Sequence, residues 1–111
     1  MEARSGREYY QVSVTTPSRD EAGSLGQVLV ESRLAACAQV SGPISSTYWW
    51  DGHITSASEW LCTLKTTSDR LESLMATVHE MHSYDVPEII AIPIIAGHPL
   101  YLAWIDEETR A

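Results

Sequence analysis

At 111 residues, with 44% hydrophobic and 20% charged side chains, the chain has length for one core and the composition to bury it, which excludes a second domain and a disordered reading. A formal net charge of −8 repels phosphate backbones and anionic headgroups, so neither nucleic acid nor a membrane is an expected partner. The longest apolar run, residues 89–96, contains Pro93 and is too short to cross a bilayer, and with no secretory signal at the start the expected location is the cytoplasm.

Residues 1–7 are polar and are expected to form a flexible tail ahead of a single domain over residues 8–111. Residues 8–16, rich in Tyr, Val and Thr, read as a strand that Pro17 ends. Ser18 and Glu21 have the spacing of a capping box, and Ala22, Leu25, Val28 and Leu29 follow at helical period, which predicts a helix ending near Arg33. A second strand begins at Ala35, is interrupted by Gly42 and Pro43, and resumes at Ile44. Asp51-Gly52 is a two-residue hairpin signal, and the return strand runs over residues 53–66. Facing residues across that turn have numbers summing to 103, so Cys37 and Cys62 do not face each other unless the Gly42-Pro43 irregularity shifts the register by several residues, and two thiols rather than a disulfide are expected.

Ser68 is the expected cap of a second helix carrying Leu71, Leu74, Met75, Val78 and Met81 on one stripe. At 100° per residue His82 lies about 20° from Leu71, within that stripe, and His79 lies at its edge. Residues 89–95, apolar on both faces, are expected to form an interior strand, and residues 99–109 a short helix begun by proline.

The order β-α-β-β-α-β plus a terminal helix is α+β, the ferredoxin-like split βαβ arrangement with an antiparallel sheet carrying two helices on one face. Adjacent strand residues point to opposite faces, so Trp49 or Trp50 must face outward on a long aromatic hairpin. Another subunit is the expected cover.

Five segments carry a family resemblance: Arg33-Leu34-Ala35-Ala36-Cys37, Tyr48-Trp49-Trp50-Asp51-Gly52, Leu64-Lys65-Thr66-Thr67, His82-Ser83-Tyr84-Asp85-Val86-Pro87-Glu88 and Tyr101-Leu102-Ala103-Trp104-Ile105. In this order and spacing the chain resembles the CutA family, named for divalent-cation tolerance. The resemblance implies a homotrimer held through the hairpins, with Tyr48, Trp49 and Trp50 at the interface. It also implies a link to divalent metals, copper above all, and a likeness in shape to PII signalling trimers, which bind small molecules between subunits. The chain departs from the family pattern in having Ser83 where the family reads proline, and Val14 and Met81 where some relatives carry cysteine and histidine.

The candidate metal ligands are His82, an imidazole suited to copper or zinc, and Cys37, a soft partner if ionised. Against these stand a packed, hydrogen-bonded histidine and a cysteine buried as a small hydrophobe. Glu59, Lys65, Tyr84 and Glu88 match family positions expected near an intersubunit cleft, where they could bind a small molecule. Their structural alternative pairs Lys65 with Glu88 and has Tyr84 anchor its loop. His53 and His98 are read as exposed loop residues. With no nucleophile elbow, phosphate loop, HExxH or CxxC, a binding protein rather than an enzyme is expected.

Overall fold

The computed structural model describes residues 8–110, and the expected tail over residues 1–7 lies outside the described residues. The elements are β1 (Tyr9–Thr16), α1 (Arg19–Glu31), β2 (Cys37–Trp50), β3 (His53–Thr67), α2 (Ser68–Met81), β4 (Ile89–Pro93) and α3 (Pro99–Glu108). They form one antiparallel four-stranded sheet in the order β2-β3-β1-β4, the split βαβ arrangement expected from the element order.

Alternation along the strands sorts the sheet into two faces. Val12 and Val14 of β1, Cys62 and Leu64 of β3, and Ala38, Ile89 and Ala91 meet Ala22, Leu25 and Leu29 of α1 and Leu74 and Val78 of α2 in one core. The other face, expected to be left open for another subunit to cover, is partly covered within the chain, because α3 folds back over one end of it. Ile105 and Leu102 pack there with Tyr9, Ala36 and Ile94 in a second, smaller cluster.

Ser18 caps α1 through the Glu21 amide at 3.1 Å. Arg33 then turns the chain with φ 63, and its guanidinium is held by the Glu108 carboxylate at 2.9 Å, tying this corner to α3. The expected cap of α2 is displaced by one residue. β3 runs straight into the helix, so Thr67 is the N-cap in extended conformation and makes no side-chain cap bond. Ser68 instead bonds the start of β1, its hydroxyl accepting from the Glu8 amide and its own N–H donating to the Glu8 carbonyl. His98 is not an idle loop residue either, since its Nδ1 accepts from the Leu100 amide and caps α3.

β4 is an edge strand, contrary to the interior position read from its two apolar faces. Among the described residues it pairs with β1 only, and its apolar residues divide between the helix-covered face (Ile89, Ala91) and an open one, where Ile90 and Ile92 are exposed. It ends at Pro93 rather than Ile95, because proline has no N–H to continue the ladder, and one further bond runs from Ile94 N–H to the Tyr9 carbonyl.

The hairpin follows the turn chemistry. Asp51 and Gly52 both have positive φ, 49 and 78, the requirement of a type I′ turn. The irregularity between Ser41 and Ile44 shifts the register by one residue, so Cys62 faces Val40 while Cys37 faces Lys65, and the two thiols stay apart.

Candidate functional site

The loop after α2 is fastened by three consecutive residues to three different elements. His82 closes α2, and its Nε2–H donates to the Thr15 carbonyl of β1 at 2.7 Å. Its Nδ1 accepts the Tyr84 amide at 3.0 Å, which fixes the neutral tautomer with hydrogen on Nε2. Ser83 donates from its amide and its hydroxyl to the Glu21 carboxylate of α1, at 3.1 and 2.8 Å. The Tyr84 hydroxyl donates to the Glu59 carboxylate of β3 at 2.9 Å.

Glu59 is 8% exposed, so its carboxylate is turned inward at the root of the hairpin, beside the bulge. The His82 and Tyr84 rings lie 4.8 Å apart, tilted by 42°. Burial, then the hydrogen bond to Glu59, pushes the Tyr84 phenol up to about 12, so at neutral pH it is a donor and Glu59 its acceptor. The site therefore presents a phenol and an acidic acceptor of fixed geometry.

The expected metal ligands are not brought together. Both ring nitrogens of His82 are engaged within the chain. Cys37 faces Lys65, which faces Gln11, while His82 reaches β1 at Thr15, roughly 13 Å further along the strand at about 3.3 Å per residue. The Cys37 sulfur lies 3.7 Å from the Tyr101 hydroxyl of α3. Among the described residues no group of three or more His, Cys, Asp or Glu side chains is placed to hold a metal ion. As arranged, His82 and Cys37 do not form one donor set.

Of the expected cleft residues, Glu59 and Tyr84 meet. Lys65 lies six residues along β3, about 20 Å away at strand rise, and donates to Gln39 at 2.9 Å rather than pairing with Glu88. Glu88 is exposed immediately before β4. At the tip of the hairpin Trp49 is 73% and Trp50 69% exposed, and Tyr48 and Ile54 beside them are also open to solvent. Glu21 and Ser83, central to the loop's fastening, were not among the site residues read from the sequence. Glu21 carried the signal of a helix cap, and nothing in the local pattern pairs it with a residue 62 positions on.

Residues 10–108 match the family model described as CutA1 divalent ion tolerance protein. The chain is 42% identical over 99 residues to the chloroplastic protein CutA of Arabidopsis thaliana, covering 89% of this chain and 54% of that protein. It is 40% identical over 98 residues to the divalent-cation tolerance protein CutA of Thermus thermophilus, covering 88% of this chain and 95% of that one. It thus spans about half the length of the plant relative and nearly all of the bacterial one. The solved structure of the periplasmic divalent cation tolerance protein CutA from Archaeoglobus fulgidus superposes with a TM-score of 0.88 at 39% identity, covering 92% of this chain and 99% of that one.

Proposed function

Because this chain belongs to the CutA1 family of divalent ion tolerance proteins, we propose that it acts in divalent-cation tolerance as a homotrimer, taking its ligand in a cleft between subunits with Tyr84 and Glu59 as the polar floor. The observation that carries this reading is the Tyr84–Glu59 bond at 2.9 Å, which sets an oriented, buried acid at the root of the arm that other copies would cover. A donor set of that kind suits a divalent ion completed by a second copy, or a small molecule offering hydrogen-bond donors. Lys65 would join such a cleft only from a neighbouring copy. The role is one of binding, without a catalytic step.

A preformed copper centre on His82 and Cys37 is the competing reading. An ion at His82 would have to take Nδ1 from the Tyr84 amide or Nε2–H from the Thr15 carbonyl. In the reading proposed, His82 holds the loop. Cytoplasmic action is supported by the two free thiols, Cys37 and Cys62. Relatives named for the chloroplast and the periplasm show that the fold also serves elsewhere. Among the described residues no helix is long and apolar enough to cross a membrane.

Calorimetric titration of the metal-free protein with Cu(II) and with Zn(II), beside the Glu59→Gln, Cys37→Ser and His82→Ala variants, separates the readings. The cleft reading expects ion affinity to fall about tenfold or more in Glu59→Gln, as one charged ligand lost from a site implies, and to persist in Cys37→Ser. Saturable binding near one ion per subunit, lost in Cys37→Ser and His82→Ala but intact in Glu59→Gln, would establish the copper centre instead.

A further inference from the structure

Tyr84 owes its place to more than its own two bonds. The residue before it is held by Glu21, which reaches from the first turn of α1 across 62 positions of sequence to accept both the amide and the hydroxyl of Ser83. The same carboxylate lies 3.5 Å from Nδ1 of His82, the atom that accepts the Tyr84 amide. With its hydrogen on Nε2, His82 has none on Nδ1 to donate to that carboxylate, so the Glu21 anion holds the loop through Ser83. The helix cap does not consume it, because Ser18 caps α1 by accepting from the Glu21 amide and leaves the Glu21 side chain available.

We propose that Glu21 is a positioning residue for the Tyr84–Glu59 pair, a clasp from α1 that holds the loop after α2 so that the phenol stays on the buried carboxylate. The proposal deepens the cleft reading by naming what sets its polar floor, and it rests on that reading only for its use. The geometry of the clasp is internal to one chain. Ser83 is well suited to the role: it supplies two donors at adjacent positions, and both oxygens of Glu21 lie within 3.1 Å of them. A carboxylate accepting two such bonds is a stronger tether than a neutral acceptor.

The test is made on the full chain with no ligand added, so that it can fail while the cleft reading stands, and the reverse. Amide hydrogen exchange and the NMR titration of the Tyr84 ring are followed in Glu21→Ala, Glu21→Gln and Ser83→Ala. In Glu21→Ala the Ser83 and Tyr84 amides should exchange about 10-fold to 100-fold faster, the range a hydrogen bond to a charged group is worth, while core amides such as Val12 and Leu64 keep their protection. The Tyr84 phenol, held near 12 by burial and Glu59 with a smaller direct push from the Glu21 charge, should fall towards 10, and since Glu21→Gln loses the same charge, a difference between the two variants reports position. Glu21→Gln keeps one carbonyl acceptor and should recover part of both signals, and Ser83→Ala, which keeps its amide, should lie between. Unchanged exchange at Ser83 and Tyr84 with an unmoved phenol titration in folded Glu21→Ala would overturn the proposal. Loss of protection throughout the core in Glu21→Ala, not recovered in Glu21→Gln, would also overturn it, by making Glu21 a general stability element.

Discussion

Cys62 and Tyr84 are two residues whose burial has a consequence at high pH. Burial pushes the Cys62 thiol up to about 11, and burial with the Glu59 bond pushes the Tyr84 phenol up to about 12. Each is neutral in the fold and ionises more readily once unfolded, near 9 and 10 respectively. Their contribution to stability is complete below about pH 9 and is lost as the pH rises through about 12. Denaturant unfolding at pH 8 and pH 11 should show that loss, and it should be smaller in a Cys62→Ala, Tyr84→Phe double variant. Equal losses in the parent and the variant would refute the assignment. At this scale the sequence was a partial guide. The separation of the cysteines followed from counting across the Asp51-Gly52 turn, and the register shift of one residue at the bulge did not bring them together. The partner of Glu21 could not be counted in that way, because the contact with Ser83 exists only after α1 and α2 have docked on the same sheet face.

Among the elements, the two long helices were legible because a period of 3.6 leaves a stripe that tertiary packing then buries, and the stripes read from sequence supply Leu25, Leu29, Leu74 and Val78 to the core. The place of a strand in a sheet has no such signature. β4 is apolar on both faces yet stands at the edge, since apolar alternation reports what will be covered, not whether the cover is a helix, a strand or another copy. The bulge in β2 was legible as Gly42-Pro43, and the structure gives its reason. Gly42 has φ 150, and a Cβ there would lie 2.7 Å from the Trp60 ring and 3.2 Å from the Glu59 carbonyl. Gly42→Ala should therefore destabilise the fold by about 1–3 kcal/mol, the range for a residue forced into a glycine conformation. Gly23→Ala, where nothing lies within 4 Å of the added carbon on helix α1, should be neutral or stabilising by up to about 1 kcal/mol. Chemical denaturation of the two variants settles it, and equal effects would show that the Trp60 contact and the backbone angle impose no constraint.

On the scale of the whole molecule, the dimensions of 50 × 25 × 21 Å describe a body with a projecting arm. From Ile44 outward the hairpin leaves the helices behind and carries Tyr48, Trp49, Trp50 and Ile54 on faces that one chain does not cover. Further apolar side chains are open to solvent at Ile90 and Ile92 of the edge strand and at Leu100, Tyr101 and Trp104 of α3. Apolar exposure on that scale is costly in water and favours association between copies. The proposed function depends on such association, because the proposed cleft at Tyr84 and Glu59 needs another copy to close it, and Trp49 and Trp50 are large exposed side chains that cover would bury. The most direct test is the mass in solution by light scattering, for the parent chain and for a Trp49→Ser, Trp50→Ser variant. Three chain masses of 12.3 kDa for the parent, falling or becoming concentration-dependent in the variant, is the predicted result. A parent that scatters as a single chain would contradict the trimer and the cleft built on it.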